Sequence, residues 1–407
     1  MIRLTPPVEI PPTAGLPVEW HDLMTFSGDL AQQLSDWLLI PRPALTCSGT
    51  AALIIALRVL QQRYPGRTKL IVPAYTCPLV ALAAFYCPAL TVVPCDLAAG
   101  GIDMDHRQLA ALCDPQTLAV VVTHLAGRVA DVDSALRIAS AVGAAVIEDA
   151  AQAMGARDGG NSVGLKGNIG FFSMAMGKGL TSAEGGVLFS RDPALQQALT
   201  QTCQQTLPFS LGWELRRIAE LWGYGAFYRP GGLYWVYGKP LRAALAKGDP
   251  VSAVGDDFTV RSIPLHRLGQ YRQHVAASAL RRLPAFLQQG KQRALDRVAL
   301  LSQLPGVSII TDNAGGQGIW PFILVLMPDA AARDAAMASL WTAGLGVTRL
   351  FIHALGGYPE VSPLLAPAVA TPCADDFAAR SLSITNSPWL TDCLFAEVLA
   401  QLRVALG

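Results

Sequence analysis

The sequence has 407 residues, 31 Lys+Arg against 30 Asp+Glu, a net charge of +1, and 52% hydrophobic residues. That length exceeds what one hydrophobic core organises, so a large unit and a smaller one are expected, and the balanced, interspersed charge excludes the basic footprint of a nucleic-acid binder. The apolar excess is mostly Ala, Leu and Val, the composition of buried parallel strands packed between Ala-rich helices.

Residues 1–45 begin with the proline-rich MIRLTPPVEIPPTAGLP, which lacks the apolar centre of a secretory signal and reads as an N-terminal arm leading to a first helix. From 45 to 190, short β-branched runs alternate with Ala/Leu helices, the pattern of βαβ units. The predicted strands are 70–74, 90–95, 118–124, 144–149, 169–174 and 186–190, with helices over 51–62, 78–86 and 132–143. The uncharged stretch from Ile71 to Cys95 is interrupted by Pro73, Pro78, Pro88 and Pro94 and is read as core, since a spanning helix needs about 20 unbroken apolar residues. Residues 205–260 turn aromatic: Trp213, Trp222, Tyr224, Phe227, Tyr228, Tyr234, Trp235 and Tyr237 mark an insertion. Its start, LGWELRRIAELWGYGAFYR, reads foremost as a packed lid or dimer interface, with membrane-surface contact as the lesser alternative. A long helical pattern over 266–304 then leads to an α+β tail with strands near 319–326 and 345–352. The eight cysteines form no CxxC pair and lie mainly in apolar runs, as in a protein of the reducing cytoplasm, and the dispersed His and Cys offer no metal pattern.

In an open α/β sheet, ligands sit beyond the carboxyl ends of the strands, which directs attention to three segments. CSGTAAL (47–53) opens a helix with small and hydroxyl residues, a setting for phosphate or simply an N-cap. VIEDAAQA places Asp149 at the mouth of a buried strand and Gln152 three residues on; a carboxylate there is costly unless paired, and a protonated pyridine nitrogen is a suitable partner. In SMAMGKGLTSAEGG (173–186), Lys178 lies in a Gly- and Ser-rich turn between apolar strands, where a buried amine is readily deprotonated to a nucleophile.

Taken in order, Thr50, Asp149, Gln152, Ser173 and Lys178 resemble the DegT/DnrJ/EryC1/StrS family of sugar aminotransferases, fold-type I enzymes dependent on pyridoxal 5'-phosphate (PLP). The resemblance is close over roughly 28–200 and looser over 257–407, and its most specific pieces are SGTAAL (48–53), VPAYT (72–76), HLAGRVADVD (124–133), VIEDAAQAMGA (146–156) and the frame S-x4-K-x-L-T-x2-EGG (173–186). It implies an α/β fold, with a large PLP-binding domain of mostly parallel sheet between helices at 46–204, and a small α+β C-terminal domain at 261–407 beyond the 205–260 insertion. It further implies a Schiff base on Lys178, Asp149 against the pyridine nitrogen, Gln152 near the phenolic oxygen, and Gly49, Thr50, Ala51 and Ser173 around the phosphate. The implied activity is conversion of a keto group on a sugar nucleotide or related metabolite to an amine, with glutamate as donor, in a homodimer with shared active sites. A family subgroup with His in place of the lysine acts as dehydratases; Lys178 favours transamination, leaving PLP-dependent elimination and a non-catalytic sensor as alternatives.

Departures from the family pattern bear on the substrate. Cys77 stands where an aromatic residue usually stacks on the ring, leaving Tyr75 as a candidate to cover it. Thr259-Val260-Arg261 replaces an Asn-x-Arg segment that reaches the partner's phosphate, with Arg261 as the charge partner. His353 follows the strand GVTRLFI at the expected substrate mouth, whereas His124 reads as a structural histidine.

Overall fold

The computed structural model describes residues 8–259, 263–366 and 369–407. Seven strands, β1 (Ala44–Thr46), β2 (Lys69–Pro73), β3 (Thr91–Cys95), β4 (Thr117–Thr123), β5 (Ala145–Asp149), β6 (Ile169–Ser173) and β7 (Gly186–Phe189), form one sheet in the order β1-β7-β6-β5-β4-β2-β3. Strands β2 to β6 are mutually parallel; β7 runs antiparallel between β6 and β1. Each of the six expected strands lies within a residue or two of its predicted bounds, whereas β1 is too short to have been read from its pattern.

The near-continuous apolar runs follow from burial on both faces. Along β2, Leu70 and Val72 join one core with Leu53, Ile54 and Leu57 of the helix Gly49–Arg63, while Ile71 points the other way, to Val132 and Ala135 of the helix Val132–Ala141. The period-2 alternation thus serves two helical layers rather than a dry and a wet face.

The 266–304 pattern is two helices, Gln270–Leu280 and Leu283–Leu301, preceded by extended chain. Pro284 has no N–H to give the Leu280 carbonyl, so one continuous helix cannot pass this point undisturbed. The second helix packs against a four-stranded antiparallel sheet of β8 (Ser308–Ile309), β9 (Phe322–Leu326), β10 (Val347–Thr348) and β11 (Ser381–Thr385), ordered β8-β9-β11-β10. Only Val347 and Thr348 of the expected 345–352 strand pair, and β11 was not foreseen. Ala294, Ile323, Val325, Ile384 and Phe395 centre this second core.

The aromatic stretch is helical. Leu221, Tyr224, Tyr228 and Leu233 pack on Val18 and Leu23 of the arm and on Ala183 and Val275, while Leu211, Leu215 and Trp222 stay exposed. The arm runs between the two sheets: Ile10 N donates to Gly344 O (2.9 Å), Ala14 N to Pro321 O (2.8 Å) and Leu16 N to Gly179 O (2.9 Å). Among the described residues, no helix is long and apolar enough to cross a membrane.

Candidate active site

The carboxyl ends of β2, β4, β5 and β6 open into a cavity of about 570 Å³ between the two sheets. At one end, Ser48 caps the helix Gly49–Arg63 by accepting Ala51 N at 3.0 Å, and Ser48 O accepts Ala52 N. The N–H groups of Gly49 and Thr50 keep no acceptor among the described residues and stand at the positive end of the helix, so they can receive an anion. Gly49 sits so close to Ser173 at the end of β6 that a Cβ there would lie 3.2 Å from the serine Cβ, and Ser48, Gly49, Thr50 and Ser173 together line this corner.

Asp149 ends β5. One of its oxygens accepts Ala151 N at 3.0 Å, and among the described residues it has no ion-pair partner. Burial lifts its carboxyl above the usual range, so a cation brought against it stabilises the ionised form. Gln152, in the turn that follows, spends its Oε1 on Ala126 N (2.7 Å), which leaves the amide N–H groups for the cavity.

Lys178 lies in the turn between β6 and β7, half-buried on the same cavity, and its Nζ makes neither hydrogen bond nor ion pair within the described residues. Loss of water draws its amine below the ordinary lysine range, with Cys77 and Asp149 opposing the shift. The turn is braced from outside. Gly177, at φ +79°, gives its carbonyl to Thr13 Oγ1 at 2.6 Å, and Tyr228 Oη donates to Thr13 O at 2.9 Å and accepts Gly15 N at 3.0 Å. Behind it, the fully buried Arg272 pairs with Glu214 (2.8 Å) and donates to the carbonyls of Ser182 and Glu184.

Gly49, Thr50, Cys77, Asp149, Gln152, Ser173 and Lys178 therefore share one cavity. Ala51 lies one residue behind its wall, its N–H already taken by Ser48. Cys77 is a wall residue whose thiol burial pushes up to about 12, so it stays neutral. Tyr75 is not brought to the cavity: the chain turns after β2 and sends its ring into the joint between the sheets, 5.6 Å from Phe351 and 5.0 Å from Phe377, with its hydroxyl on the Phe351 backbone. His353 is also displaced from the cavity, exposed and edge-on to Tyr358 at 5.4 Å. Arg261 lies outside the described residues. His124 is buried, with Nε2 2.8 Å from Glu148 Oε2 and Nδ1 accepting Ala130 N at 3.1 Å. Among the described residues, no group of three or more His, Cys, Asp or Glu is arranged to hold a metal.

The family description DegT/DnrJ/EryC1/StrS aminotransferase matches residues 19–211, the span that carries the phosphate corner, Asp149 and Lys178. Over this span, a little under half of the chain, the sequence is similar to the DegT/DnrJ/EryC1/StrS family. Protein MosB of Rhizobium meliloti is 36% identical over 177 residues, 44% of this chain and 34% of that one. The L-glutamine:2-deoxy-scyllo-inosose aminotransferase of Streptomyces kanamyceticus is 34% identical over 169 residues, 42% and 39% of the two chains. The alignments thus span little more than a third of those relatives' lengths. The solved structure of DesI with its TDP-sugar product matches at TM-score 0.74 and 19% identity over 99% of this chain and 94% of that one, a likeness of fold.

The described residues fit PLP, the family's cofactor: among them are helix N–H groups without an acceptor for its phosphate, a buried carboxylate without a paired cation for its ring nitrogen, and a desolvated amine for its aldehyde. Several cavity residues were not singled out from the sequence. Pro12 and Thr13 come from the arm, Glu184 and Arg217 face each other at 2.6 Å, and Asp256, Thr348, Arg349 and Ser383 close the end nearest the small sheet. Thr348 and Arg349 lie within the predicted 345–352 strand, but nothing local marks them as cavity residues, and the others depend on chain far away in sequence.

Proposed function

We propose that this protein is a PLP-dependent aminotransferase that converts a keto group of a sugar nucleotide or related polyol-like metabolite to an amine, with an amino acid such as glutamate as donor. The observation that carries the reading is the shared cavity of Lys178, Asp149 and the open helix start at Gly49 and Thr50. When bound, PLP supplies an aldehyde that condenses with amines and a cationic ring that accepts electrons. Asp149, raised by burial, is stabilised as a carboxylate by a protonated ring nitrogen and in turn holds that proton in place. Desolvation draws the Lys178 amine below the ordinary lysine range, which favours its neutral form, and Nζ would act as nucleophile and then as the base that takes the proton from the amine-bearing carbon of the donor. Gln152 offers its amide N–H groups to the phenolic oxygen, and Gly49, Thr50 and Ser173 anchor the phosphate.

We further propose a cytoplasmic homodimer. The exposed Trp20, Leu211, Leu215 and Trp222, with Trp20 and Trp222 edge to face at 5.9 Å, support a buried partner surface, and eight unpaired cysteines support a reducing compartment. The visible spectrum of purified protein given PLP tests the cofactor: wild type gains absorption that Lys178→Ala lacks, and a wild type that stays colourless overturns the assignment. With substrate, amine formation matched one-to-one by keto-acid release supports transamination, and water loss without amine transfer refutes it.

A further inference from the structure

From residue 221 to 248 the sequence holds Arg229, Lys239, Arg242 and Lys247 and no Asp or Glu. The same stretch keeps large apolar side chains in solvent: Phe227 is 46% exposed, Trp235 60% and Val236 54%. They come together because the chain folds back after the helix Leu211–Phe227. Gly232 lies so close to the Phe227 backbone that a Cβ there would meet its carbonyl oxygen at 2.8 Å. Trp235, Val236 and Lys239 follow Gly232 by three, four and seven residues, and so rise on the same side of the helical run over 230–246. Beneath them Tyr228 and Leu233 are buried in the core shared with the arm, which holds the ridge in place. Arg229, in the turn between the helices, and Lys239 are exposed and have no carboxylate partner within 4 Å among the described residues. Lys239 Nζ stands 5.7 Å from the centre of the Trp235 ring. The other two cations are answered, Arg242 by Glu9 at 2.6 Å and Lys247 by Asp249.

We propose that this ridge, Phe227, Trp235 and Val236 flanked by Arg229 and Lys239, docks on the surface of an anionic phospholipid bilayer. Aromatic side chains seat at the level of the headgroups, cations beside them meet lipid phosphates, and a stretch without carboxylates avoids repulsion by a negative leaflet. The charge speaks against a second copy of this chain as the occupant. In a two-fold contact the ridge would face itself, which crowds the cations of both copies together with no carboxylate between them. The ridge also stands apart from the patch of Trp20 and Trp222, because Trp222 and Phe227, five residues apart, point roughly 140° apart around their helix. Docking would be peripheral, since no described helix is long and apolar enough to span a bilayer. Tyr237, next to Val236, lines the cavity, so the docked ridge would sit one residue from the cavity wall.

The test sediments the full-length protein with sucrose-loaded vesicles, one set of phosphatidylcholine alone and one of equimolar phosphatidylcholine and phosphatidylglycerol. Wild type should pellet with the anionic vesicles and be released as salt rises. Lys239→Glu exchanges one attraction for one repulsion, each worth about fivefold, and should need about twenty-fivefold more anionic lipid. Trp235→Ala should need about tenfold more or beyond, through loss of buried apolar area. Both side chains are exposed, and melting temperatures check that each variant is folded; Arg229→Glu stands in as the charge reversal should Lys239→Glu melt early. No pelleting with the anionic vesicles, equal pelleting with both sets, or either variant binding as wild type does overturns the proposal. If sedimentation velocity shows that the substitutions split a wild-type oligomer, the ridge is an interface between copies. If wild type binds a single-stranded oligonucleotide through these residues and leaves the vesicles in solution, the ridge is a nucleic-acid contact. Either result also overturns it.

Discussion

Replacing Arg272 by Met strikes the brace behind the lysine turn. The side chain is fully buried; Nε donates to both Glu214 oxygens at 3.1 Å, Nη2 to Oε2 at 2.8 Å, and Nη1 to the Ser182 and Glu184 carbonyls at 3.1 and 2.7 Å. Among the described residues, the stranded Glu214 carboxylate retains Gly269 N at 3.1 Å as its donor. Breaking one side of a buried ion pair costs about 3–5 kcal/mol, a large share of the roughly 5–15 kcal/mol that separates folded from unfolded chains. Replacing both partners, Arg272→Met with Glu214→Leu, removes the uncompensated charge and should return stability to within about 2 kcal/mol of wild type. Urea denaturation of the cofactor-free protein measures this, with PLP uptake followed in parallel. Uptake should fall in both variants, since both lose the grip on the Ser182 and Glu184 carbonyls. A double variant no more stable than Arg272→Met would refute the unpaired-charge reasoning, and normal PLP affinity in both would refute the brace.

Asp149→Ala should retain some PLP while turnover falls by about a hundredfold or more, read by comparing the bound spectrum with kcat. Lys178 titrates below its unfolded value near 10.4, so the unfolded chain holds the extra proton and stability rises with pH toward that value. Cofactor-free Lys178→Met should therefore be more stable than wild type at pH 7, with the gain shrinking as pH approaches about 10; a gain that grows with pH refutes the desolvated amine. Glu148 is depressed: burial opposes its ionisation, but His124 and the N–H groups of Gly167 and Gly164 outweigh it. The stability it lends is present above about pH 4.3 and is lost as pH falls through its lower folded value, so the cost of Glu148→Gln, from denaturant midpoints, should diminish under acid. Gly186→Ala would drive a Cβ into the Ser48 carbonyl and Thr46 Oγ1, and should lower PLP affinity by displacing the cap of the phosphate helix; unchanged affinity counts against that corner.

How much was legible in the sequence depends on where each residue lies. Asp149, Ser173 and Lys178 stand at or just past the carboxyl ends of buried strands, and strand periodicity alone places such residues at a common edge. Tyr75 also follows a strand, but which way its ring turns is decided by Phe351 and Phe377, almost three hundred residues on. His353 failed to reach the cavity for the same kind of reason: only Val347 and Thr348 of its predicted strand pair, so the alternation that would aim residue 353 is absent. Arg349 and Asp256 carry no local signal that separates them from solvated charges; their place on the cavity wall is set by chain distant in sequence.

The Tyr228 clasp on Thr13 and Gly15 has a bearing on how the chain comes to life. These contacts join residues 213 and 215 positions apart, so ribosomal synthesis must run on for a further two hundred residues before the arm finds its latch. Contacts of such long sequence separation form late. The lysine turn therefore lacks its Tyr228 clasp until residue 228 has emerged and its Arg272 brace until residue 272 has followed, and firm uptake of PLP is expected only after both.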